Sequence, residues 1–318
     1  MLARRPRPKR RRPTRPKRRR PTRPKRIDDL RGCLGDDHHL VEFADMEAVG
    51  SNPARIIPAW RDFVDRPVHR GRRLRGIGEP FGPVREAAAL DECHHHKALL
   101  NVAFGSADPL WLVCPYDTAT IAPTDIDRAE HNHPLIRHGD APRDGTGSPS
   151  HDFVDVIETI SRRVLAAPLA APSAGTTVRS RAFDASSLHE LRSFASTVAE
   201  ASGFEPKEQA SVALAVGEVA ANSIRHGGGT GSLRIWTDRG SLLCEVNDHG
   251  VVTDVLVGRR RPHNDVVGGR GLWIVNQVCE LVQIRSDPSG TTVRLTITPG
   301  LIPGVPSAHG AQPDSDRG

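Results

Sequence analysis

The chain has 318 residues, 37% of them hydrophobic and only 4% aromatic, and a formal charge of +6. That length gives room for two domains plus linkers, and so few apolar residues imply stretches that build no core. No apolar run approaches the ~18–20 residues of a membrane span, the basic start leads into no apolar signal segment, and five scattered cysteines form no CxxC pair. These exclusions point to a cytoplasmic protein without a disulfide framework.

The charge is uneven. Residues 1–26 hold 15 Lys and Arg and no acid, leaving 29 basic against 38 acidic residues in the rest, a net of −9. Residues 11–18 (RRPTRPKR) repeat identically as 19–26. Arginine and proline at this density cannot bury a core, so residues 1–32 are expected to be a disordered tail. Any nucleic-acid contact would be electrostatic and made by this tail. No aromatic residue interleaves to stack a base, so a low-complexity segment without function is the plainer reading.

Residues 33–137 read as an α/β segment. Residues 40–43 form a strand candidate, Asn52-Pro53 caps and opens a helix, and 74–77 form a strand. A helix over about 86–103 and an apolar strand at 110–114 follow, the order that builds a parallel sheet. Cys93-His94-His95-His96 suggests a metal site. Adjacent helical side chains point about 100° apart and no partner pair stands at finger spacing, so a solvated helix face is expected. Glu79 and Asp117, at predicted strand ends, are better site candidates, with turn and cap roles as the ordinary explanation.

The stretches Arg75-Gly76-Ile77-Gly78-Glu79-Pro80, Ala98-Leu99-Leu100-Asn101 and Leu112-Val113-Cys114-Pro115-Tyr116-Asp117 resemble the second half of the MEDS sensory domain. That module often precedes ATPase domains in actinobacterial regulators, and its first half is expected to be absent. From 138 to 177 the composition turns to Gly, Pro, Ser and Ala, a linker with a possible helix over 153–165. Residues 299–318 read as a second disordered tail.

Residues 178–298 carry the chemistry. Strand, helix, helix, an antiparallel pair turning at Asp238-Arg239-Gly240, a short helix and two closing strands indicate an α+β two-layer sandwich. In the second helix Val212, Ala215, Val216, Val219 and Ala220 make an apolar stripe. Glu218, Asn222 and His226 stack at i, i+4 and i+8 on another face, and glycines 227–229 stop the helix. Asp248 ends a strand before a glycine, where its carboxylate can accept a hydrogen bond from an exocyclic amine. Gly268, Gly269 and Gly271 precede a helix, where bare backbone and the helix dipole suit phosphate.

Glu218-Val219-Ala220-Ala221-Asn222-Ser223-Ile224-Arg225-His226, Asn247-Asp248-His249-Gly250 and Gly268-Gly269-Arg270-Gly271-Leu272-Trp273-Ile274-Val275 resemble the N-box and two glycine boxes of the GHKL (Bergerat-fold) ATPases. Within them the anti-sigma-factor serine/threonine kinases are the most similar group. The resemblance implies ATP and Mg²⁺ as cofactors. It makes Asn222 the Mg²⁺ ligand, Glu218 the general base toward a partner hydroxyl, and Asp248 the adenine contact with Gly250 allowing close approach. Gly268, Gly269, Gly271 and Leu272 would line the phosphates, Arg270 would add charge, Thr292 would support the adenine contact, and loop 251–267 would be the ATP lid. Gly250 is followed by Val251-Val252 rather than a second glycine, and the lid is short. The implied partners are a STAS-type anti-sigma antagonist and a sigma factor, with a homodimer possible. The alternatives are a sensor histidine kinase, for which His151-Asp152 is the one nearby phosphoacceptor, and a binding protein that keeps the fold without catalysis.

Overall fold

The computed structural model describes residues 24–44, 49–78, 87–105, 107–133, 135–138, 141–144, 159, 162–262 and 269–301. The arginine repeat up to residue 23, Glu79, His151, Asp152, Gly268 and the tail beyond 301 lie outside them, as does most of the helix expected over 153–165. The chain divides into two units, Met1–Ala44 and Asp45–Gly318.

In the first unit, α1 (Pro24–Leu34) runs into a 3₁₀ turn, Gly35–Leu40. Residues 24–32 are therefore helical where a disordered tail was expected. Between Pro24 and Pro53 no proline interrupts the chain, and Arg31 pairs with Asp28 one turn earlier at 3.3 Å. The strand expected at 40–43 does not form, and among the described residues no strand pairs with them.

The second unit begins with a capped turn. The Asn52 side chain accepts from the Ala54 amide at 2.9 Å, with Pro53 at the first position, and α2 (Ile56–Val64) follows. Strand β1 (Leu74–Ile77), α3 (Ala87–Ala103) and β2 (Leu110–Val113) form a β-α-β unit, with Leu74 opposite Leu110 and Ile77 opposite Val113 in parallel. Helix α4 (Pro123–His131) and a short hairpin, β3 (Leu135–His138) with β4 (Ala141–Asp144), close this part. The hairpin enters the stretch that composition assigned to linker.

The run Cys93-His94-His95-His96 corrects its expectation. All four residues are buried, none more than 6% exposed. Helix α3 is covered on several sides, so its sequence has no dominant apolar face to reveal the burial. His94 Nε2 pairs with Asp125 of α4 at 3.1 Å, and among the described residues no His/Cys/Asp/Glu group could hold a metal ion. Asp117 has the turn role expected of it, accepting from the Ala119 amide and the Thr120 hydroxyl, each at 3.0 Å.

Residues from 179 onward form the two-layer sandwich. Strands β5 (Arg179–Asp184), β6 (Thr230–Asp238), β7 (Ser241–Asp248), β8 (Leu281–Asp287) and β9 (Gly290–Ile297) build an antiparallel sheet in the order β5-β6-β7-β9-β8. One face is covered by α5 (Leu188–Ala201), α6 (Pro206–His226) and α7 (Gly271–Val278). The apolar stripe of α6 is fully buried against Leu233, Ile235, Leu242, Cys244, Val246 and Leu295 of the sheet. Helix α6 starts on Pro206 inside a reciprocal capping box of Glu205 and Glu208, and stops where Gly228 and Gly229 take φ of 89° and 87°. Among the described residues no helix is long and apolar enough to cross a membrane.

Candidate nucleotide site

Helix α6, the end of β7 and the start of α7 meet at one place. Glu218 and Asn222 stand one turn apart on the half-exposed face of α6. A β-carbon built on Gly271 would lie 2.8 Å from Glu218 Oε2 and 3.5 Å from Asn222 Nδ2, so the bare backbone at the start of α7 faces both side chains. Gly269, with φ of 71°, turns the chain into this helix and has open space beside it, and exposed Arg270 is the helix N-cap. Leu272 packs its side chain on the core, leaving only its backbone to face the site.

Asp248 is fixed from two directions. Its Oδ2 accepts from buried Ser223 of α6 at 2.6 Å, and its Oδ1 accepts from the Gly250 amide at 2.7 Å. The space around it exists because three neighbours are glycines. A β-carbon on Gly227 would lie 2.5 Å from Asp248 Oδ1, one on Gly250 would lie 2.6 Å from the His226 carbonyl, and one on Gly290 would collide with the Asp248 carbonyl. Gly227 is therefore a close-approach position as well as a helix stop, a role the stop signal alone does not reveal. His226 is exposed at the helix end, and its backbone carbonyl takes part in this packing.

Thr292 is not brought to this group. In the register of β7 and β9, Asp248 faces Thr291 while Thr292 faces Asn247, so Thr292 projects to the sheet's other side and donates to Asn247 Oδ1 at 2.7 Å. Thr291 takes the place beside Asp248. Its hydroxyl donates to the Gly250 carbonyl at 2.8 Å and meets Ser286 Oγ at 2.8 Å, and Ser286 accepts from the Val252 amide at 2.8 Å. This chain of bonds anchors the backbone just where the second glycine is absent. Strand parity, a period of two, was the available signal. A groove of about 1090 Å³ lies largely on the other side of the sheet, lined by Glu245, Asn247, Thr292 and Arg294 beneath residues 165–172.

The loop after Gly250 is docked on the N-terminal part of the same unit. Val255 and Leu256 are buried with Ile57 of α2 and Leu99, Leu100 and Ala103 of α3. Arg259 of the loop and Arg285 of β8 both pair with Glu92 of α3, at 3.4 and 2.7 Å. Burial pushes the Glu92 carboxyl up, but the His95 hydrogen bond and the Arg285 and Arg259 charges outweigh it and hold the group at about 2. Arg55 caps the far end of α7, donating to the carbonyls of Asn276 (2.7 Å), Gln277 (3.0 Å) and Cys279 (2.9 Å). The Asn52 carboxamide donates to Asn276 Oδ1 at 3.1 Å, and Asn276 donates to the Gly258 carbonyl of the loop at 3.0 Å. Sequence reasoning missed this network, because each residue has an adequate local explanation, as Asn52 does in its helix cap.

The residues fit ATP and a magnesium ion in chemical type. Gly271 leaves a cradle beside a carboxylate and a carboxamide, and among the described residues no group of acids could cage an ion. A single carboxamide suits an ion that keeps waters and phosphate oxygens as its other ligands.

Comparison with known proteins agrees with this geometry. Residues 182–297 match the family described as histidine kinase-like ATPase domain, and residues 21–134 match the MEDS (methanogen/methylotroph, DcmR sensory) domain. No curated protein matches the chain. Among solved structures, the crystal structure of the RsbU and RsbW domains of Rv1364c from Mycobacterium tuberculosis is similar at 18% identity and a TM-score of 0.30. The match covers 40% of this chain and 33% of that one, so the chain spans about a third of that structure's length. The chain therefore carries a MEDS domain followed by a histidine kinase-like ATPase domain of the GHKL type.

Proposed function

We propose that the chain is an ATP-dependent protein kinase that phosphorylates a serine or threonine of a STAS-type anti-sigma antagonist, and that it sequesters a sigma factor when the antagonist is phosphorylated. The observation that carries this reading is the approach of Gly271 to both Glu218 and Asn222, which joins the second glycine box to the N-box. Glu218 takes the proton from the partner's hydroxyl as its oxygen bonds to the terminal phosphorus of ATP and the bond to ADP breaks. Asn222 would hold Mg²⁺, which would supply charge neutralisation to the phosphates. Asp248, held by Ser223, accepts from the adenine amine. Thr291 holds the Gly250 carbonyl, and with it the turn beside Asp248. Gly269 and Gly271 offer amides to the phosphates and Arg270 adds charge.

The lid role falls to the loop after Gly250. Its burial of Leu256 against α3 supports control of the nucleotide by the MEDS domain: whatever shifts α2 or α3 shifts the lid and the far end of α7. The test is incubation with labelled ATP and candidate antagonists, followed by acid treatment of the product. The expected product is an acid-stable phosphoester, and Glu218→Ala retains ATP binding while abolishing transfer. An acid-labile product assigns the chain to the histidine kinases, and unchanged transfer in Glu218→Ala removes the base assignment.

A further inference from the structure

Cys114 stands at the carboxyl end of β2, where an α/β unit gathers its functional side chains. It is half-buried, whereas Cys93, Cys244 and Cys279 are buried and Cys33 is exposed. Lys97 of α3, only 3% exposed, donates to its sulfur at 2.6 Å. Burial pushes the Lys97 amine down, and the Cys114 charge and hydrogen bond oppose that, so an ammonium here depends on this sulfur as its anion. His133, just past α4, completes the group. Its Nδ1 bonds to the Ala129 carbonyl at 2.7 Å, so that nitrogen carries the proton and Nε2 is the nitrogen able to accept one. Tyr116 lies between them, its ring 5.9 Å from Lys97 Nζ and 5.6 Å from the His133 ring. A thiol beside a lysine and an imidazole base is the arrangement that activates sulfur as a nucleophile. None of these residues belongs to the nucleotide site.

We propose that Cys114 is a modification site, a thiolate held by Lys97 and His133 for two-electron oxidation by a hydroperoxide. The sulfur attacks one peroxide oxygen and the O–O bond breaks. Sulfur is oxidised to the sulfenic acid, and the departing hydroxide (or alkoxide) takes a proton from solvent to leave as water (or alcohol). Burial pushes the Cys114 thiol up, but hydrogen bonds from His133 and Lys97 and the Lys97 charge outweigh it and hold the thiol below its ordinary range. By contrast, burial alone pushes Cys244 up to about 12. Oxidation removes the anion facing Lys97 on α3, the helix whose Glu92, Leu99 and Leu100 hold the loop and the sheet edge. The modified sulfur thus faces the same helix that holds the loop and the sheet edge, through a different residue of it.

The test uses the full chain and needs no nucleotide, so its failure is separable from failure of the kinase reading. Hydrogen peroxide is added at neutral pH, sulfenic acid is trapped with dimedone, and each cysteine is quantified by peptide mass spectrometry. The adduct is expected at Cys114 ahead of exposed Cys33, and iodoacetamide is expected to label Cys114 about tenfold faster than Cys33. Lys97→Met and His133→Gln each lower the Cys114 rate about tenfold and leave Cys33 unchanged. In the wild type, adduct at Cys33 with none at Cys114 overturns the proposal. So does a Cys114 rate that neither substitution changes.

Discussion

Replacing Glu92 by glutamine tests the joint between the two domains. The wild-type carboxylate is 2% exposed and faces two guanidinium groups, Arg285 at 2.7 Å and Arg259 at 3.4 Å, both about 10% exposed. Glutamine keeps the shape and removes the charge, leaving two buried cations without a counterion. Breaking a buried pair by removing one partner costs roughly 3–5 kcal/mol. The held carboxyl gives a similar figure: a fall from 4.5 to about 2 corresponds to about 3 kcal/mol of stability. Because the folded value is depressed, this contribution is fully present above pH 4.5 and is lost as pH falls towards about 2. Urea unfolding followed by tryptophan fluorescence should therefore show Glu92→Gln destabilised by about 3 kcal/mol at neutral pH. The gap to wild type should narrow as the pH is lowered through that window. A loss below about 1 kcal/mol, typical of a surface pair, or a gap independent of pH, would refute the reasoning.

Other predictions follow from the same geometry. Gly271→Ala places its new methyl 2.8 Å from the flexible end of Glu218, so the carboxylate moves, and phosphotransfer should be lost while thermal stability changes little. Gly290→Ala meets the Asp248 backbone at φ of 148°, where nothing can yield, and thermal melting should show marked destabilisation. Leu256→Ala should cost about 2–4 kcal/mol of docking and raise the rate of protease cleavage within 251–262; unchanged cleavage would mean that the loop is not held by α3.

The ATPase half was readable because its signals are local. A period of 3.6 exposed the buried stripe of α6, glycines marked its end, and the order of elements gave the sandwich. Positions within elements were less readable. Thr292 and Thr291 differ by one residue and thus by sheet face, and only the register of β7 with β9 decides between them. The MEDS half concealed more. Cys93-His94-His95-His96 looks solvated because buried and exposed helices need not differ in composition when every side is covered. Asn52 satisfies a helix cap and α7 at once, and only the first use leaves a trace in sequence.

Nucleotide binding is the most direct test of the account. Titrating the full chain with ATP in a calorimeter, with and without Mg²⁺, should give saturable binding that depends on Mg²⁺ in wild type and loses that dependence in Asn222→Ala. No heat of binding at millimolar Mg-ATP would contradict the assignment of Glu218, Asn222, Asp248 and Gly271 to a nucleotide site.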